Sequence, residues 1–410
     1  MTEIFLTIFF ISVLLFLLGS GVWVAISMIG VSTIGMMLFT SRPVGDAMAT
    51  TIWGTSSSWT LTALPLFVWM GEILFRTKLS ENLFSGLSPW MQKLPGGLIH
   101  VNVVGCALFA AISGSSAATV ATVGKMSIPE LRKRKYPEKI LLGSLAGSGT
   151  LGLLIPPSII LIIYGVTVQE SIAKLFIAGI IPGIMIAIIF MGYVIIWSLI
   201  NKKSMPKSYE NFSFLEKIKK SKQLLPVIIL ISSVIGSIYT GVATATEAAS
   251  LGVVGALILS YFQKSLNKET FRQSLLGATK TSCMIAFILA GSTFLSLAMG
   301  FTGLPRNLAI WIESMQLSPY ILIFVLMIFY IILGMFLDGI SAVVLTMAII
   351  EPMIRQAGFD MIWFGIFLVI VVEMAQITPP VGFNLFVLQG MANKDMGFIA
   401  KSAFLSLIHI

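Results

Sequence analysis

Long apolar runs alternate with short polar segments along the whole chain. Residues 4–18, 22–39, 175–200 and 224–239 form runs that reach, or nearly reach, the ~20 residues that a helix needs to cross a bilayer. The pattern predicts segments at 4–19, 22–40, 61–75, 98–128, 138–165, 175–199, 224–241, 243–262, 281–300, 320–354, 361–388 and from 398 onward. We therefore predict an all-α polytopic membrane protein.

The composition excludes a soluble protein. Only 10% of the 410 residues are charged, against about 25% in soluble domains, and the mean hydropathy is +0.98. The first run lacks a basic start and a small-residue cleavage site, so we expect a retained helix rather than a signal peptide. The two cysteines and two histidines show no metal-ligand spacing, and a structural disulfide is not expected.

The distribution of Lys and Arg predicts the orientation of the chain. With loop 129–139 placed in the cytoplasm, the cytoplasmic loops hold 20 of the 26 basic residues. These loops are 76–96, 129–139, 200–223, 263–280 and 391–397, and the opposite loops hold Arg42, Lys174, Arg306 and Arg355. This bias requires 98–128 and 320–354 to enter and leave on one side, as re-entrant helical hairpins. The basic loops account for the net charge of +9. Their basic residues are expected to contact water and lipid headgroups, so the charge does not imply nucleic-acid binding.

The second half of the chain repeats features of the first half. At an offset of 223 residues, Pro129, Tyr136, Pro156 and Pro157 match Pro352, Phe359, Pro379 and Pro380. Upstream, residues 114–117 (GSSA) match 339–342 (GISA) at an offset of 225. Loop 132–139 is basic, whereas 355–360 is nearly neutral, so the two copies are expected to have opposite orientations. Inverted structural repeats with broken helices are typical of transporters.

These observations divide the chain into four parts. We predict N-terminal scaffold helices and an interfacial segment in 1–60, because 42–59 is too polar to span. The first inverted repeat follows in 61–199, with hairpin 98–128 and a proline-broken transmembrane helix at 138–165. A basic cytoplasmic linker at 200–223 leads to the second repeat in 224–410, with hairpin 320–354 and broken helix 361–388.

The breaks carry oxygen atoms suited to a hard cation. Pro156 and Pro157 lack an N–H and leave carbonyl groups one turn back unpaired, and the first hairpin tip adds the hydroxyls of Ser113, Ser115 and Ser116. A half-helix that starts at the tip also directs its positive end toward an anion. The structural alternative is that small residues merely allow close helix packing. The matched breaks and the loop charges favour a site.

Five carboxylates lie in or beside apolar segments and are functional candidates by default. They are Glu72, Glu247, Asp338, Glu351 and Glu373. Asp338, at the second hairpin tip, is the best candidate for coupling to a cation or proton. Glu247 follows Thr244 and is expected to stabilise a helix start, and Glu72 is expected at the cytoplasmic interface. The sequence favours no role for Glu351 or Glu373.

The motifs FAAISGSSAAT, IPEL, LGLLIPPSIILIIYG, LFIAGIIPG, GVATATEAAS, LGMFLD and TPPVGFNLFV occur in order along nearly the whole chain. This arrangement resembles the large membrane (permease) subunit of tripartite ATP-independent periplasmic (TRAP) transporters, the DctM family of the ion transporter superfamily. The resemblance implies secondary, sodium-coupled uptake of an organic acid by an elevator-type motion in the bacterial inner membrane. It also implies two partners, a small four-helix membrane subunit and a periplasmic solute-binding protein.

The resemblance also implies two sites for transported sodium ions. The first comprises Ser113, Ser115, Gly152, Ile155 and Pro157, the last three through backbone carbonyl groups. The repeat transfers this set to a second site at Gly339, Ser341, Ala375, Thr378 and Pro380. Ser116 and Asp338 are further candidates for contact with the solute or for coupling.

Several alternatives and two departures from the family pattern accompany this prediction. A single-component carboxylate or sodium symporter would share the repeat plan. An intramembrane enzyme is disfavoured because the apolar segments contain no reactive constellation of side chains, and a passive channel is disfavoured because the hairpin tips are closed.

No four-helix segment is fused to the N-terminus, so we expect the small subunit to be a separate polypeptide. We also expect an artificial terminus at residues 405–410 (LSLIHI). The sequence does not identify the acid, which is expected to be a C4-dicarboxylate, a sialic acid or an oxo acid.

Overall fold

The computed structural model describes residues 3–77, 79–206, 212–303, 307, 310 and 318–407, and every regular element within these ranges is helical. The α-helices are α1 Glu3–Gly19, α2 Val24–Phe39, α3 Val44–Ser56, α4 Ala63–Phe75, α5 Leu79–Met91, α6 Ile99–Ser113, α7 Ser116–Lys133, α8 Glu138–Gly149, α9 Ile159–Thr167, α10 Ile172–Ile200, α11 Phe214–Ser221, α12 Leu225–Tyr239, α13 Ala245–Phe262, α14 Lys268–Thr302, α15 Pro319–Gly334, α16 Gly339–Gln356, α17 Met361–Gln376, α18 Phe383–Ala392 and α19 Met396–Leu407. The all-α prediction is confirmed. Arg306 and residues 408–410 lie outside the described ranges.

Four of the described helices, α10, α13, α14 and α16, are long and apolar enough to cross a membrane, and two bent helix pairs raise the number to six. The first pair joins α3 to the segment Trp59–Phe75 at 52°, and the second joins α11 to α12 at 57°. No residue of α3 is buried, as expected for the polar segment 42–59. Length and composition therefore support a multi-pass membrane protein, while the re-entrant course of the two hairpins stays a prediction.

The first predicted hairpin and broken helix are present as consecutive helices. Helix α6 ends at Ser113, and the left-handed backbone of its C-cap Gly114 (φ +58°) turns the chain directly into α7. Helix α8 ends at Gly149 and is followed by the 3-10 turn Thr150–Leu153, the break, and α9. The hairpin continues to Lys133, five residues beyond the predicted boundary of 128, because Pro129 lies inside α7 without ending it.

The second half contains the matching elements in the same order. Helices α15 and α16 are joined at residues 335–338, and Asp338 is the N-cap of α16. Helix α17 ends at Gln376, and α18 begins at Phe383 after Gly382. Each break contains a cis peptide bond, at Pro156–Pro157 and at Pro379–Pro380. The predicted breaks in 138–165 and 361–388 therefore lie at the two Pro-Pro pairs.

Each hairpin tip is joined to the break of its own half by a backbone hydrogen bond. The Ile159 N–H donates to the Gly114 carbonyl oxygen at 3.2 Å, and the Val381 N–H donates to the Met335 carbonyl oxygen at 3.3 Å. A side chain at position 114 would place Cβ 2.6 Å from the Pro157 carbonyl oxygen, so only glycine fits there. The breaks thus obtain from the hairpins part of the hydrogen bonding that a continuous helix would supply.

The two halves also contact each other reciprocally. Helix α7 packs on α18, and α16 packs on α9, so each short second half-helix lies against the hairpin of the other half. The Arg132 guanidinium donates to the Ala392 carbonyl oxygen at the end of α18 (2.7 Å). Likewise, Arg355, which lies 223 residues later, donates to the Val168 carbonyl oxygen at the end of α9 (3.0 Å). A cation at a helix C-terminus offsets the negative end of the helix dipole.

Helix α14 forms the main contact between the N-terminal helices and the hairpins. It packs on α2, α3 and α4 along one side and on α16 along another, while α4 also contacts α6 and α9. The prediction that 263–280 is a loop is wrong, because α14 already begins at Lys268 and runs for 35 residues. At 1.5 Å per residue the helix is about 52 Å long, longer than the ~30 Å hydrocarbon core. Its first seven residues include six polar or charged ones, so the composition of this segment resembles that of a loop.

We predict that Gly291→Ala destabilises the protein, because its Cβ would lie 2.8 Å from the Ala25 carbonyl oxygen of α2, a backbone atom that cannot move aside locally. The expected cost is about 1–3 kcal/mol of unfolding free energy, measured by thermal unfolding in detergent. Gly300→Ala is the matched control on α14, since nothing lies within 4 Å of its Cβ position. Equal melting temperatures for the two variants would contradict the close contact between α2 and α14.

Candidate functional site

The first hairpin tip and the 3-10 turn bring hydroxyl and carbonyl oxygens together. The Ser113 hydroxyl lies 2.9 Å from the Thr119 hydroxyl and 3.3 Å from the Ser115 carbonyl oxygen. The Thr119 hydroxyl also donates to the Ser115 carbonyl oxygen at 2.8 Å. A Cβ built on Gly152 would lie 2.6 Å from that same oxygen, so the turn packs directly on the tip. Ser113, Ser115 and Gly152 therefore adjoin one another as predicted.

The remaining predicted members of the first set lie on either side of this cluster. The Pro157 carbonyl oxygen faces Gly114, at 2.6 Å from the Cβ position of that glycine. Ile155 directs its side chain toward Gly183 of α10, so only its backbone is available to the tip. Ser158 is the N-cap of α9 and its hydroxyl donates to the Leu153 carbonyl oxygen. That hydroxyl is therefore engaged in holding the break.

The second hairpin tip adjoins α17 in a comparable way. A Cβ on Gly339 would lie 2.6 Å from Val372 and 3.4 Å from the Gln376 side-chain nitrogen. Ala375 packs against Gly334 at the end of α15, with its Cβ 2.6 Å from the Cβ position of the glycine. The Asp338 carboxylate accepts the N–H groups of Ile340 and Ser341 at 3.1 Å each. Asp338 therefore caps α16 and keeps its other oxygen free of these bonds.

Three other predicted residues have different surroundings. The Thr378 hydroxyl donates to the Met374 carbonyl oxygen at 2.6 Å, which leaves its backbone carbonyl, facing Gly382, as the available group. Pro380 is exposed, unlike the buried Pro157. Ser116 is buried and donates to the Asn384 side-chain oxygen at 2.7 Å. This bond joins α7 to α18, so Ser116 lines neither of the pockets described below.

A pocket of about 160 Å³ opens at the first tip, between α4, α7 and α14. Ser113 and Ser115 line it together with two polar residues that the sequence did not assign to a site, Glu72 of α4 and Thr281 of α14. Glu72, expected at the interface, pairs with Arg76 at 3.0 Å and approaches Gly277 of α14. The pocket therefore adds a carboxylate and a hydroxyl to the tip oxygens.

A larger cavity of about 790 Å³ lies at the second tip. Asp338 and Ser341 line it from the hairpin, and Lys280 and Cys283 line it from α14. Because Lys280 and Thr281 are adjacent, the two tips approach the same turn of α14 from different sides. No group of three His, Cys, Asp or Glu side chains in the described ranges is arranged to hold a metal ion. A cation at the tips would rely on hydroxyl, carbonyl and single carboxylate oxygens.

The sequence does not assign Thr119 or Thr281 to a site, and only Thr119 has a spacing that could have indicated one. Thr119 lies four residues after Ser115, on the same face of α7, so helical spacing alone places its hydroxyl beside the tip. Thr281 was placed at the start of a span, with no sequence feature to connect it to a hairpin more than 150 residues away. Glu247, by contrast, forms the capping box expected with Thr244.

Glu373 on α17 is fully buried, and neither of its carboxylate oxygens has a hydrogen-bond partner in the described ranges. The Thr150 hydroxyl lies beside it but donates to the Gly147 carbonyl oxygen at 2.8 Å. The carboxyl group therefore lies where the 3-10 turn of the first half meets α17 of the second half. Burial of an unpaired carboxylate is costly, so Glu373 is expected to reduce the stability of the folded chain.

We predict that Thr119→Val lowers the free energy of unfolding by about 1–2 kcal/mol, because it removes the hydroxyl that bonds both Ser113 and Ser115. Thr122→Val is the matched control on the same helix, since the buried Thr122 hydroxyl has no hydrogen-bond partner within the part of the chain that the structure describes. Thermal unfolding of both variants checks this prediction. A larger loss for Thr122→Val than for Thr119→Val would contradict the tip network.

We predict that Glu373→Gln leaves the melting temperature unchanged or raises it, since the substitution replaces a buried unpaired carboxyl group by a neutral isostere. Glu351→Gln serves as the control and should lower stability slightly, because Glu351 pairs with Arg355 at 2.9 Å. A fall of several degrees for Glu373→Gln alone would show that the carboxylate makes a strong interaction.

Comparison with known proteins agrees with the motifs and the fold. Residues 10–405 match the family model described as tripartite ATP-independent periplasmic transporter, DctM component. The chain is 32% identical, over 90% of its length and 86% of the relative's, to the C4-dicarboxylate TRAP transporter large permease protein DctM of Pseudomonas aeruginosa. It is 29% identical to the sialic acid TRAP transporter large permease protein SiaM of Vibrio cholerae, over 90% of this chain and 86% of that one.

A solved structure shares the fold. The crystal structure of the YdaH transporter of Alcanivorax borkumensis superposes with a TM-score of 0.68 and covers 94% of both chains, at 10% sequence identity. Because the identity is low, this likeness bears on the fold alone. The family match spans nearly the whole chain and carries the assignment. The chain belongs to the DctM family of tripartite ATP-independent periplasmic transporters and is a transporter permease subunit, not an enzyme.

Proposed function

We propose that the chain carries out sodium-coupled uptake of an organic acid as the large permease subunit of a TRAP transporter. The observation that carries this proposal is the meeting of both hairpin tips at one turn of α14. Pockets lined by Thr281 and by Lys280 open there onto the first and second tips. Ion sites and a solute site at such a junction would lie close together in space, as the coupling of ion binding to solute binding requires.

The first sodium site is proposed at Ser113, Ser115, Gly152, Ile155 and Pro157. The packing of Gly152 and Pro157 on the tip supports this site, because it brings several oxygen atoms close together. Sodium prefers such hydroxyl and carbonyl ligands, as hard cations do. The second site is proposed at Gly339, Ser341, Ala375, Thr378 and Pro380, with Asp338 as a coupling carboxylate whose second oxygen is not used in capping.

The proposed mechanism is an elevator motion of two inverted repeats. Support comes from the equivalent backbone bonds at the two breaks and from the reciprocal contacts of Arg132 and Arg355 with the other half. The repeats correspond to 61–199 and 224–410, joined by linker 200–223, with 1–60 in the scaffold. Helices α4 and α14 would form the fixed wall, because they connect the N-terminal helices to both hairpins.

Ion gradients can supply the energy that such uptake needs. One cation that moves down ~100 mV gains about 2.3 kcal/mol, and a tenfold concentration ratio adds roughly 1.4 kcal/mol. Two sodium ions therefore supply about 7 kcal/mol to an uncharged solute, equivalent to some 10⁵-fold accumulation. For a dianionic acid the electrical terms cancel, and about 3 kcal/mol remains, equivalent to roughly 10²-fold accumulation. A dianionic acid needs two cations to avoid work against the membrane potential. Two ion sites fit this requirement.

The proposed partners are a small four-helix membrane subunit and a periplasmic solute-binding protein, in the bacterial inner membrane. They are supported by the family, whose name describes a tripartite periplasmic transporter. The acid is proposed to be a C4-dicarboxylate, a sialic acid or an oxo acid, since the relatives at similar identity are named for C4-dicarboxylate and for sialic acid. A single-component symporter would instead take up the acid without a binding protein.

We predict that Ser115→Ala and Ser341→Ala each raise the sodium concentration for half-maximal uptake about tenfold, because each removes one ligand hydroxyl worth roughly 1–1.5 kcal/mol. The measurement is uptake of labelled succinate and sialic acid by proteoliposomes that contain the permease, the small subunit and the binding protein. Ser127→Ala is the matched control on α7, since the buried Ser127 hydroxyl has no hydrogen-bond partner among the described residues.

Two results would contradict the proposal. If sodium dependence were unchanged in both variants, the tip serines would not be ion ligands. If the permease reconstituted alone took up the acid as fast as the complete complex, the single-component alternative would hold.

A further inference from the structure

Lys280 occupies an unusual position for a basic residue of this chain. It lies 12 residues after the start of α14, within a continuous helix of 35 residues, and it lines the 790 Å³ cavity at the second hairpin tip. Other basic residues on the hairpin side, such as Arg132 and Arg355, form ion pairs with Glu138 and Glu351. Within the described part of the chain Lys280 has neither an ion pair nor a side-chain hydrogen bond.

A second positive element opens onto the same cavity. Helix α2 begins at Val24, and its first turn has no side-chain cap and no acidic residue. Trp23, Val24 and Ala25 line the cavity, so N–H groups that the helix cannot satisfy itself lie at its edge. A helix N-terminus with a nearby cation is a favourable environment for a carboxylate. On the opposite side, Asp338 already accepts two N–H groups.

Apart from Lys280, Asp338 and Ser341, the residues that line the cavity are mostly apolar. Met284, Phe287 and Ile288 continue from Lys280 along α14, and the volume of about 790 Å³ is within the range of small-molecule sites. The cavity therefore combines one cationic end with an apolar side wall. This combination fits an organic anion better than it fits an inorganic ion, because an inorganic ion would leave the apolar wall without a partner.

We propose that Lys280 binds a carboxylate group of the transported solute, with the unpaired N–H groups at the start of α2 beside it and the carbon skeleton along α14. This inference rests on the proposed function and adds the residue that recognises the acid. The solute then lies at the turn of α14 that both tips approach. Bound cations at the tips would offset the repulsion between the solute and Asp338.

Cys283 provides a direct probe, because it is exposed and lines the cavity three residues after Lys280, whereas the other cysteine, Cys106, is buried. Residues three apart on a helix are about 5–6 Å apart. One positive charge at that distance should accelerate an anionic thiol reagent about threefold and slow a cationic one about threefold, even in water. The ratio of the two rates reports the charge.

The experiment compares the labelling rates of Cys283 by anionic sulfonate and cationic trimethylammonium methanethiosulfonate reagents in the reconstituted complex. Lys280→Met should lower the anionic-to-cationic rate ratio about tenfold, and Lys280→Arg should retain it. Lys268→Met is the control, since Lys268 lies on the same helix outside the cavity. An unchanged ratio in Lys280→Met, with normal membrane insertion, would overturn the proposal.

A second measurement tests solute binding at this site. Whichever of succinate or sialic acid the complex takes up should slow labelling of Cys283 in the wild type and in Lys280→Arg. This protection should be reduced at least tenfold in apparent affinity in Lys280→Met. Equal protection with and without Lys280, or no protection in a complex with sodium-driven uptake of that acid, would overturn this inference and leave the proposed function standing. Uptake that is independent of sodium would count against the proposed function instead.

Discussion

The arrangement of this permease depends on the hydrogen bonding of backbone groups that two broken helices leave unpaired. Inside a membrane such groups must be satisfied by protein or by a water-filled cavity. At each break one of them bonds the tip of the hairpin from the same half, through Ile159 and Gly114 and through Val381 and Met335. This bond places the tips next to the breaks. The close packing of Gly152 on Ser115 follows from the same geometry.

The contacts between the halves extend this constraint to the whole hairpin region. Arg132 and Arg355 each bind the carbonyl end of the other half's short helix, so neither half-helix ends without a partner. Helix α14 then faces both tips along one turn, with Lys280 toward the second and Thr281 toward the first. In the proposed mechanism this turn is the place where ions and solute meet, which allows the binding of one to favour the binding of the other.

The positions of the helix breaks could be predicted because proline and glycine interrupt apolar runs in a way that allows few other structures, whereas the re-entrant course of the hairpins stays a prediction. Prediction from the sequence failed at Lys280, because a polar stretch with four basic residues resembles a loop, while in the structure α14 extends through it. The bond from Arg355 to the Val168 carbonyl oxygen also has no sequence signal, since the nearly neutral charge of 355–360 indicates an orientation and not a contact. Glu373 and Thr281 acquire their surroundings only from tertiary packing, which no local pattern encodes.

In the proposed function, two related sites couple the uptake of one acid to sodium. The most direct test is the sodium-to-solute stoichiometry of the reconstituted complex, obtained from the sodium gradient at which net solute flux falls to zero at a clamped membrane potential. We expect that at least two sodium ions move with each acid molecule. A balance point that does not depend on the sodium gradient, or one that corresponds to a single ion, would contradict it.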